Sequence, residues 1–276
     1  MYRKSKFHLL GIIGSPLRQT MSPTLHNYWI NKNNINGHYV PLELSQLKNI
    51  NKAIKAMNFT GLNVTIPYKK SIIKYLDNLD EDAEKLQAVN TIVNREGKLI
   101  GYNTDTIGFQ KGLKKLKKWN KKLPVLVIGA GGAAEAIVYS LCKIKIKKIY
   151  LMNRTTKNAK KIGCKYKNIK IIKWLEKDFI DNFSMVINTT SLGMIGYPKL
   201  PISLKDINKS AIVYDIVYNP LKTPLIKEAE KSNMVTIKGL EMFLEQAKES
   251  FGLWFNKYPK IDTQILKLIK NKIEKQ

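Results

Sequence analysis

A strand, a glycine-rich turn and a helix are predicted in the segment LPVLVIGAGGAAEAIVYSL, residues 123–141. The turn reads Gly129-x-Gly131-x-x-Ala134, the dinucleotide fingerprint with alanine in its last position. The first glycine makes the turn, the second lets backbone approach a pyrophosphate, and the small third residue lets helix and strand pack closely. The strand and helix flanks favour cofactor binding over a tight structural turn. The predicted cofactor-binding residues here are Gly129, Ala130, Gly131, Gly132, Ala133 and Ala134.

The end of the next predicted strand carries Asn153-Arg154-Thr155, where an NAD site is expected to hold Asp or Glu for the ribose hydroxyls. Without a carboxylate there is no repulsion against a 2′-phosphate, and the arginine offers it a charge-assisted partner. The alternative is a surface arginine in a basic protein. Because the chain has only four arginines among its 48 basic residues, this position is informative and favours NADP.

Hydroxyl, amide and lysine side chains cluster at two turns in the first third of the chain, within GSPLRQTMSPTLHN and GLNVTIPYKK. Together they suit a small polyhydroxylated carboxylate. Each also has an ordinary interpretation: Ser22 as a helix N-cap, Asn63 as a turn residue, Lys69 as one of many lysines. The residues concerned are Ser15, Thr20, Ser22, Asn63, Thr65 and Lys69.

Short β-rich runs alternate with stretches of helical periodicity, which is typical of βα units and parallel sheets. The first series has predicted strands at 8–14, 37–44 and 61–67, helices from near Ser22, Ser45 and Lys69, and a hairpin of 88–93 with 98–103. After a helical stretch at 105–118, the second has strands at 123–128, 148–152, 185–188, 211–218 and 234–237, with helix from Gly239 onward. We predict an α/β fold in which an N-terminal α/β domain precedes a Rossmann-type, doubly wound parallel sheet.

The net charge of +27 raises the possibility of a nucleic-acid or anionic-membrane partner. Phosphate and base recognition favours arginine, however, and nearly all of the basic residues here are lysines. Residues 106–239 carry 27 basic against 8 acidic residues, a net +19. We therefore expect a lysine-rich coat around a nucleotide site, with no specific nucleic-acid partner.

Metal, disulfide and membrane functions are not expected. Cys142 and Cys164 lie 22 residues apart without a CxxC motif, and the three histidines are too widely spaced to share a helix face. The first apolar run ends at Gly14 without a cleavage site, and the longest one, 125–141, is interrupted by glycines and Glu135. A reducing cytoplasm is the expected location.

The ordered motifs resemble the shikimate dehydrogenase family over nearly the whole chain. The similar segments are GSPLRQTMSPTLHN, GLNVTIPYKK, AVNTIV, GYNTDTIGF, GAGGAA, NRT, NTTSLGM, DIVYNPLKTPL and GLEMFLEQA. The resemblance implies reversible NADPH-dependent reduction of 3-dehydroshikimate to shikimate in aromatic amino-acid biosynthesis. We also expect a substrate domain of residues 1–105 completed by helices 240–276, an NADP domain of residues 106–239, and a monomer or homodimer.

The resemblance also implies residue roles. Lys69 and Asp105 would be the catalytic pair. Substrate contacts would come from Thr20, Ser22, Asn63, Thr65, Asn90, Tyr218 and Gln246. Besides the glycine turn, the cofactor would be held by Asn153, Arg154, Thr155 and backbone near Thr190, Gly239 and Met242.

Two positions depart from the family pattern. Gln19-Thr20 stands where His-Ser is usual; threonine keeps the hydroxyl and adds a methyl group. Asn158, beside Lys157, stands where a second basic residue often follows NRT, so NADP preference rests more heavily on Arg154. Two alternatives stay open: a quinate or dual quinate/shikimate dehydrogenase, which could prefer NAD, and a basic nucleic-acid-binding protein on a Rossmann scaffold.

Overall fold

The chain forms two compact units in the computed structural model, which describes residues 6–174 and 182–275. Of the described residues, unit 1 comprises 6–104 with 246–275, and unit 2 comprises 105–174 with 182–245. The helices, in chain order, are α1 (Ser22–Lys32), α2 (Ile50–Ala56), α3 (Glu81–Leu86), α4 (Asp105–Leu113), α5 (Gly132–Lys143), α6 (Thr156–Gly163), α7 (Pro224–Lys231), α8 (Gly239–Phe255) and α9 (Thr263–Glu274). The basic first five residues lie outside the described part of the chain.

Unit 1 is built on a mixed six-stranded sheet. Its strands are β1 (His8–Gly14), β2 (Gly37–Glu43), β3 (Phe59–Val64), β4 (Asn78–Leu79), β5 (Thr91–Arg95) and β6 (Lys98–Tyr102), in the order β2-β1-β3-β5-β6-β4. Strand β1 pairs in parallel with β2 and β3, whereas β5 is antiparallel to both β3 and β6. The predicted hairpin is confirmed, because β5 and β6 pair from Thr91↔Tyr102 to Arg95↔Lys98 around Glu96 and Gly97, both at positive φ.

Two helix predictions in unit 1 need correction. The helix expected near Ser45 begins only at Ile50, because Asn49 before it adopts a left-handed φ of 61°. The helix expected from Lys69 is wrong, since only a 3₁₀ turn at Ile73–Tyr75 forms. The chain then turns extended, because the Asp77 carboxylate accepts the Leu99 N–H at 2.7 Å and β4 pairs with β6. Helix α3, which was not predicted, begins where the Asp80 carboxylate caps the Ala83 N–H.

The described part of unit 2 is built on a six-stranded sheet whose strand pairings are all parallel. Its strands are β7 (Val125–Ile128), β8 (Ile149–Met152), β9 (Ile169–Ile172), β10 (Met185–Asn188), β11 (Ile212–Asp215) and β12 (Thr236–Lys238), in the order β12-β11-β10-β7-β8-β9. This is the predicted Rossmann-type layer. Strand β9 was not predicted, the strand expected at 211–218 ends at Asp215, and the helix expected at 105–118 ends at Leu113.

The two faces of the unit 2 sheet bury separate apolar cores. Val125 and Val127 pack into one cluster with helix residues such as Ile137, whereas Leu126 and Ile128 pack into the other. Alternation on successive residues sends side chains to opposite faces, so a strand buried on both sides reads as a continuous apolar run.

The strand register aligns the carboxyl ends of four strands of unit 2. The last paired residues of β8, β7, β10 and β11 are Met152, Ile128, Asn188 and Asp215. The residues that follow them therefore share one edge of the sheet, where ligands bind in open α/β sheets. Among the residues described, no helix is long and apolar enough to cross a membrane.

Candidate active site

The sheet register of unit 1 brings several of the predicted substrate-binding residues together. Asn63 near the end of β3 is paired with Thr91 at the start of antiparallel β5, and Thr91 with Tyr102 near the end of β6. Asn90 precedes β5 and Thr104 closely follows β6, so both lie at this edge of the sheet. Asn63, Asn90 and Thr104 are all buried.

Asn63 is held by hydrogen bonds at both ends of its amide. Its Oδ1 accepts the Tyr39 hydroxyl at 2.7 Å. Its Nδ2 lies 3.2 Å from the Asn90 carbonyl oxygen, 3.1 Å from Thr91 Oγ1 and 3.1 Å from Ser250 Oγ. The Asn90 carbonyl oxygen can only accept, so the atom facing it is the amide nitrogen of Asn63 and the other is the amide oxygen. The remaining lone pair of Oδ1 suits a hydroxyl donor.

Asn90 forms a second part of the same cluster. Its Oδ1 accepts the Thr104 backbone N–H at 2.8 Å, and its Nδ2 donates to Thr104 Oγ1 at 3.0 Å. Gln246 Oε1 lies 3.4 Å from both Asn90 Nδ2 and Thr104 Oγ1. Three residues predicted to bind substrate, Asn63, Asn90 and Gln246, thus belong to one hydrogen-bonded set.

Ser22 and Thr20 lie at the start of α1. The Ser22 backbone N–H donates to Thr20 Oγ1 at 3.3 Å, and the buried Ser22 side chain hydrogen-bonds to Tyr39. Burial raises the pKa of Tyr39 well above its usual value, so this phenol stays neutral and bridges Ser22 to Asn63. Ser22 is the first residue of α1 and makes no side-chain cap, so its N-cap interpretation was wrong.

Lys69 and Thr65 lie on the turns that follow β3. The Tyr68 N–H donates to the Thr65 carbonyl at 2.9 Å, and the Lys69 carbonyl accepts the Val89 N–H at 2.8 Å. These backbone bonds fix the segment beside Asn90, while the Lys69 side chain is half-buried. Asp105, the other predicted catalytic residue, is the buried first residue of α4 and belongs to unit 2. Helix dipoles favour a carboxylate at that end.

The glycine turn of unit 2 connects β7 to α5. Gly129 has a φ of +114°, and a Cβ there would lie 2.4 Å from Thr189 Oγ1, so only glycine fits. At Gly131, by contrast, an added Cβ would meet no heavy atom within 4 Å. The first turn of α5 exposes backbone N–H groups that lack intrahelical acceptors. An open space beside a helix N-terminus fits the pyrophosphate of a dinucleotide.

The loop after β8 carries Asn153, Arg154 and Thr155. Asn153 Nδ2 donates to the Thr155 carbonyl at 2.8 Å, which closes the loop, and Thr155 immediately precedes α6. Arg154 and Thr155 are exposed. The guanidinium is therefore accessible to a phosphate group beyond the carboxyl edge of the sheet.

A buried carboxylate, Asp215, organises the loops after β10 and β11. It accepts hydrogen bonds from Asn188 Nδ2 at 2.9 Å, Thr223 Oγ1 at 2.6 Å and the Val217 N–H at 3.0 Å. Asn188 Oδ1 in turn accepts the Thr190 hydroxyl at 2.7 Å. Burial raises the pKa of Asp215 to about 6, against the opposing effect of its hydrogen bonds.

The remaining predicted residues of unit 2 lie near the start of α8. The Tyr218 ring stacks on Phe243 with centroids 4.7 Å apart, and Met242 is buried in the core. A Cβ on Gly239 would lie 2.2 Å from the Ile216 carbonyl oxygen, so glycine permits close approach of the two backbones. Tyr218, Gly239 and Met242 thus share unit 2 with the glycine turn, and Thr20, Ser22, Asn63, Thr65, Lys69, Asn90 and Gln246 share unit 1.

Several residues of these networks were missed in the sequence: Tyr39, Thr91, Thr104, Ser250, Asn188 and Asp215. The position of one of them, Ser250, could have been predicted from its spacing. Ser250 is four residues after Gln246 on a helix, a spacing that places the two side chains on one face.

A parallel sheet with a glycine turn and an open helix N-terminus at its carboxyl edge defines unit 2 as a dinucleotide-binding α/β fold. Residues 12–92 match the family model described as the shikimate dehydrogenase substrate binding domain, and residues 111–241 match that of shikimate / quinate 5-dehydrogenase. The chain belongs to the shikimate dehydrogenase family.

Individual relatives agree over most of the chain. It is 41% identical over 260 residues to the shikimate dehydrogenase (NADP(+)) of Pelagibacter ubique, covering 94% of this chain and 97% of that protein. The Bacillus subtilis shikimate dehydrogenase (NADP(+)) is 42% identical, with 92% and 94% covered. A crystal structure of a shikimate dehydrogenase in complex with NADP+ aligns with a TM-score of 0.86 at 34% identity, covering 98% of this chain and 95% of that one.

Proposed function

We propose that the chain catalyses the reversible NADPH-dependent reduction of 3-dehydroshikimate to shikimate, a step of aromatic amino-acid biosynthesis. The buried set of amides and hydroxyls around Asn63 and Asn90 carries this proposal, since such a set suits a small ring bearing several hydroxyl groups. The relatives named as NADP-dependent shikimate dehydrogenases support the same substrate and cofactor.

We assign substrate binding to residues 1–105 with 240–276. Thr20 and Ser22 would bind the substrate carboxylate through their hydroxyls. Ring hydroxyls would meet the remaining polar residues of these ranges, namely Asn63, Thr65, Asn90 and Gln246. We also assign a substrate contact to Tyr218, which lies outside these ranges. A site that pairs buried polar groups with substrate hydroxyls rejects analogues lacking them, because those groups would be left unpaired.

We assign NADP binding to residues 106–239. The turn from Gly129 to Ala134 would hold the pyrophosphate, and Arg154, with Asn153 and Thr155, the 2′-phosphate. Backbone near Thr190, Gly239 and Met242 would complete the site. When bound, NADPH supplies the hydride.

Proton transfer falls to the side chains of the protein. In the reducing direction, Lys69 Nζ donates a proton to the oxygen of the developing alkoxide, and in the oxidising direction the lysine accepts it back. We assign Asp105, whose carboxylate is buried, to the same proton-transfer chemistry.

We further propose that the enzyme works in the cytoplasm as a monomer or homodimer, without a specific nucleic-acid partner. Both cysteines are free thiols, which suits a reducing compartment. Nearly all of the basic residues behind the net charge of +27 are lysines, which are better suited to general attraction of anions than to base recognition.

Activity on quinate is the second candidate. The family model of unit 2 is described for both shikimate and quinate, and the extra methyl group of Thr20 alters the predicted carboxylate-binding turn. Arg154 favours NADP with either substrate.

The test is to follow nicotinamide absorbance with shikimate or quinate, each combined with NADP or NAD. We expect the highest kcat/KM with shikimate and NADP. A higher value with quinate would replace the proposed substrate. If none of the four combinations changes the absorbance, the proposed dehydrogenase activity is excluded. Specific, salt-dependent nucleic-acid binding by the same inactive protein would favour the binding-protein alternative.

A further inference from the structure

Ser250 lies at the centre of the polar cluster of unit 1. It is fully buried on α8, and its Oγ lies 2.8 Å from Thr91 Oγ1, 3.2 Å from Thr104 Oγ1 and 3.1 Å from Asn63 Nδ2. It also lies 3.1 Å from the carbonyl oxygen of Gln246, one turn earlier on the same helix. One hydroxyl thus contacts polar groups from β3, β5, the residues after β6, and α8.

The hydrogen-bonding capacity of a serine determines what this position requires. A hydroxyl has one hydrogen to donate and two lone pairs to accept with. The Asn63 amide can only donate here and the Gln246 carbonyl can only accept, whereas the two threonine hydroxyls can do either. Ser250 therefore satisfies donors and acceptors together, which alanine or valine cannot do.

The distances show what holds the helix turn that carries Gln246. Gln246 Oε1 lies 3.4 Å from Asn90 Nδ2 and Thr104 Oγ1, whereas Ser250 Oγ lies 2.8–3.2 Å from its partners on β3, on β5 and after β6. Shorter hydrogen bonds are the stronger ones. The contacts of Ser250 thus fix the helix turn that carries Gln246.

We propose that Ser250 is a positioning residue for substrate binding, which sets Gln246 against Asn63 and Asn90 without touching the substrate. This rests on the proposed function, since those three amides are the assigned partners of the ring hydroxyls. Preorganised polar groups improve affinity because the cost of ordering them is met on folding.

The test is the Michaelis constant for each substrate in the Ser250→Ala enzyme. We expect KM for shikimate to rise about 5- to 30-fold, the equivalent of one or two buried hydrogen bonds, with KM for NADP unchanged. Ser250→Cys keeps the approximate volume with a weak S–H donor, so its KM for shikimate should fall between those of wild type and Ser250→Ala. A role in packing alone would leave the cysteine variant like wild type.

Ser140→Ala is the matched control. Ser140 is a buried helix serine of unit 2 that donates to the Thr106 carbonyl at 3.4 Å. It should leave KM for shikimate unchanged. Thr91→Val, a replacement of similar shape, removes the 2.8 Å partner of Ser250 and should raise KM for shikimate in the same way, which keeps a test available if Ser250→Ala does not fold.

The outcomes separate the two proposals. Wild-type enzyme without shikimate activity would reject the proposed function. Active wild type, with Ser250→Ala or Thr91→Val showing an unchanged KM for shikimate, would reject only the positioning role. An equal rise in the KM values for shikimate and NADP would also reject it.

Discussion

The two candidate binding regions are built in different ways. In unit 1, neutral side chains bond to one another across strands and α8, as Asn63, Asn90 and Ser250 do. In unit 2, the candidate binding edge consists of backbone turns and the exposed Arg154, and the buried carboxylate of Asp215 holds its loops. Under the proposed assignment, substrate recognition would depend on side-chain geometry set during folding, and cofactor recognition on backbone shape and charge.

The largest effect expected concerns the chemistry itself. Replacing Lys69 by alanine should lower kcat for shikimate oxidation by roughly 10² to 10⁴, because a positioned general acid/base is lost. The neighbouring exposed Lys70 is the control, and Lys70→Ala should keep wild-type kcat. If Lys69→Ala kept full turnover, Lys69 would have no part in the mechanism, and unit 1 would have no assigned proton donor.

The next largest effect concerns the ionisation of the buried Asp215 in unit 2. The folded-state pKa of Asp215 is about 6, above the ordinary value of 3.8, so the folded chain binds the proton more tightly than the unfolded chain. Its ionisation therefore lowers the free energy of unfolding as pH rises from about 4 to about 7, by up to about 3 kcal/mol. The substitution Asp215→Asn removes this pH-dependent contribution to the free energy of unfolding.

Urea unfolding of both proteins at pH 4.5 and pH 7.5 measures this difference. Relative to wild type, Asp215→Asn should gain stability as pH rises. The exposed Asp206, also in unit 2, provides the matched Asp→Asn control. A stability difference between Asp215→Asn and wild type that stays constant with pH would show that Asp215 is ionised at both values.

Cofactor choice gives the third effect. Arg154→Ala should raise KM for NADP roughly 10- to 150-fold, because one hydrogen bond between charged groups contributes about 1.5–3 kcal/mol. KM for NAD and for shikimate should stay the same. Lys157→Ala is the control on the same segment, and an equal effect there would mean that general positive charge, instead of Arg154, attracts the phosphate.

What the sequence could predict follows the same division. The glycine turn and the Asn153–Thr155 loop depend on local strand-turn-helix signals, and the strands of unit 2 read as apolar runs. Other features depend on pairing with distant strands, which outweighs local propensity. They are the short strand β4, the lysine-containing strand β9, and the segment after Lys69, where the predicted helix does not form. Ser250 lies 187 residues from Asn63 in the chain, so their bond could not be predicted from spacing.

The smallest effect expected separates stability from cofactor binding at the glycine turn. Gly131 has an ordinary extended-side φ of −89°, and its added Cβ would meet nothing within 4 Å, so Gly131→Ala should leave stability unchanged or raise it by about 0.4–1 kcal/mol. The same methyl group would stand where the pyrophosphate approaches the backbone, so KM for NADP should rise roughly 5- to 10-fold while KM for shikimate stays constant. Thermal unfolding and steady-state kinetics on one preparation measure both quantities. If KM for NADP did not change, the open space at Gly131 would not be the pyrophosphate site, and backbone shape would no longer account for cofactor recognition in unit 2.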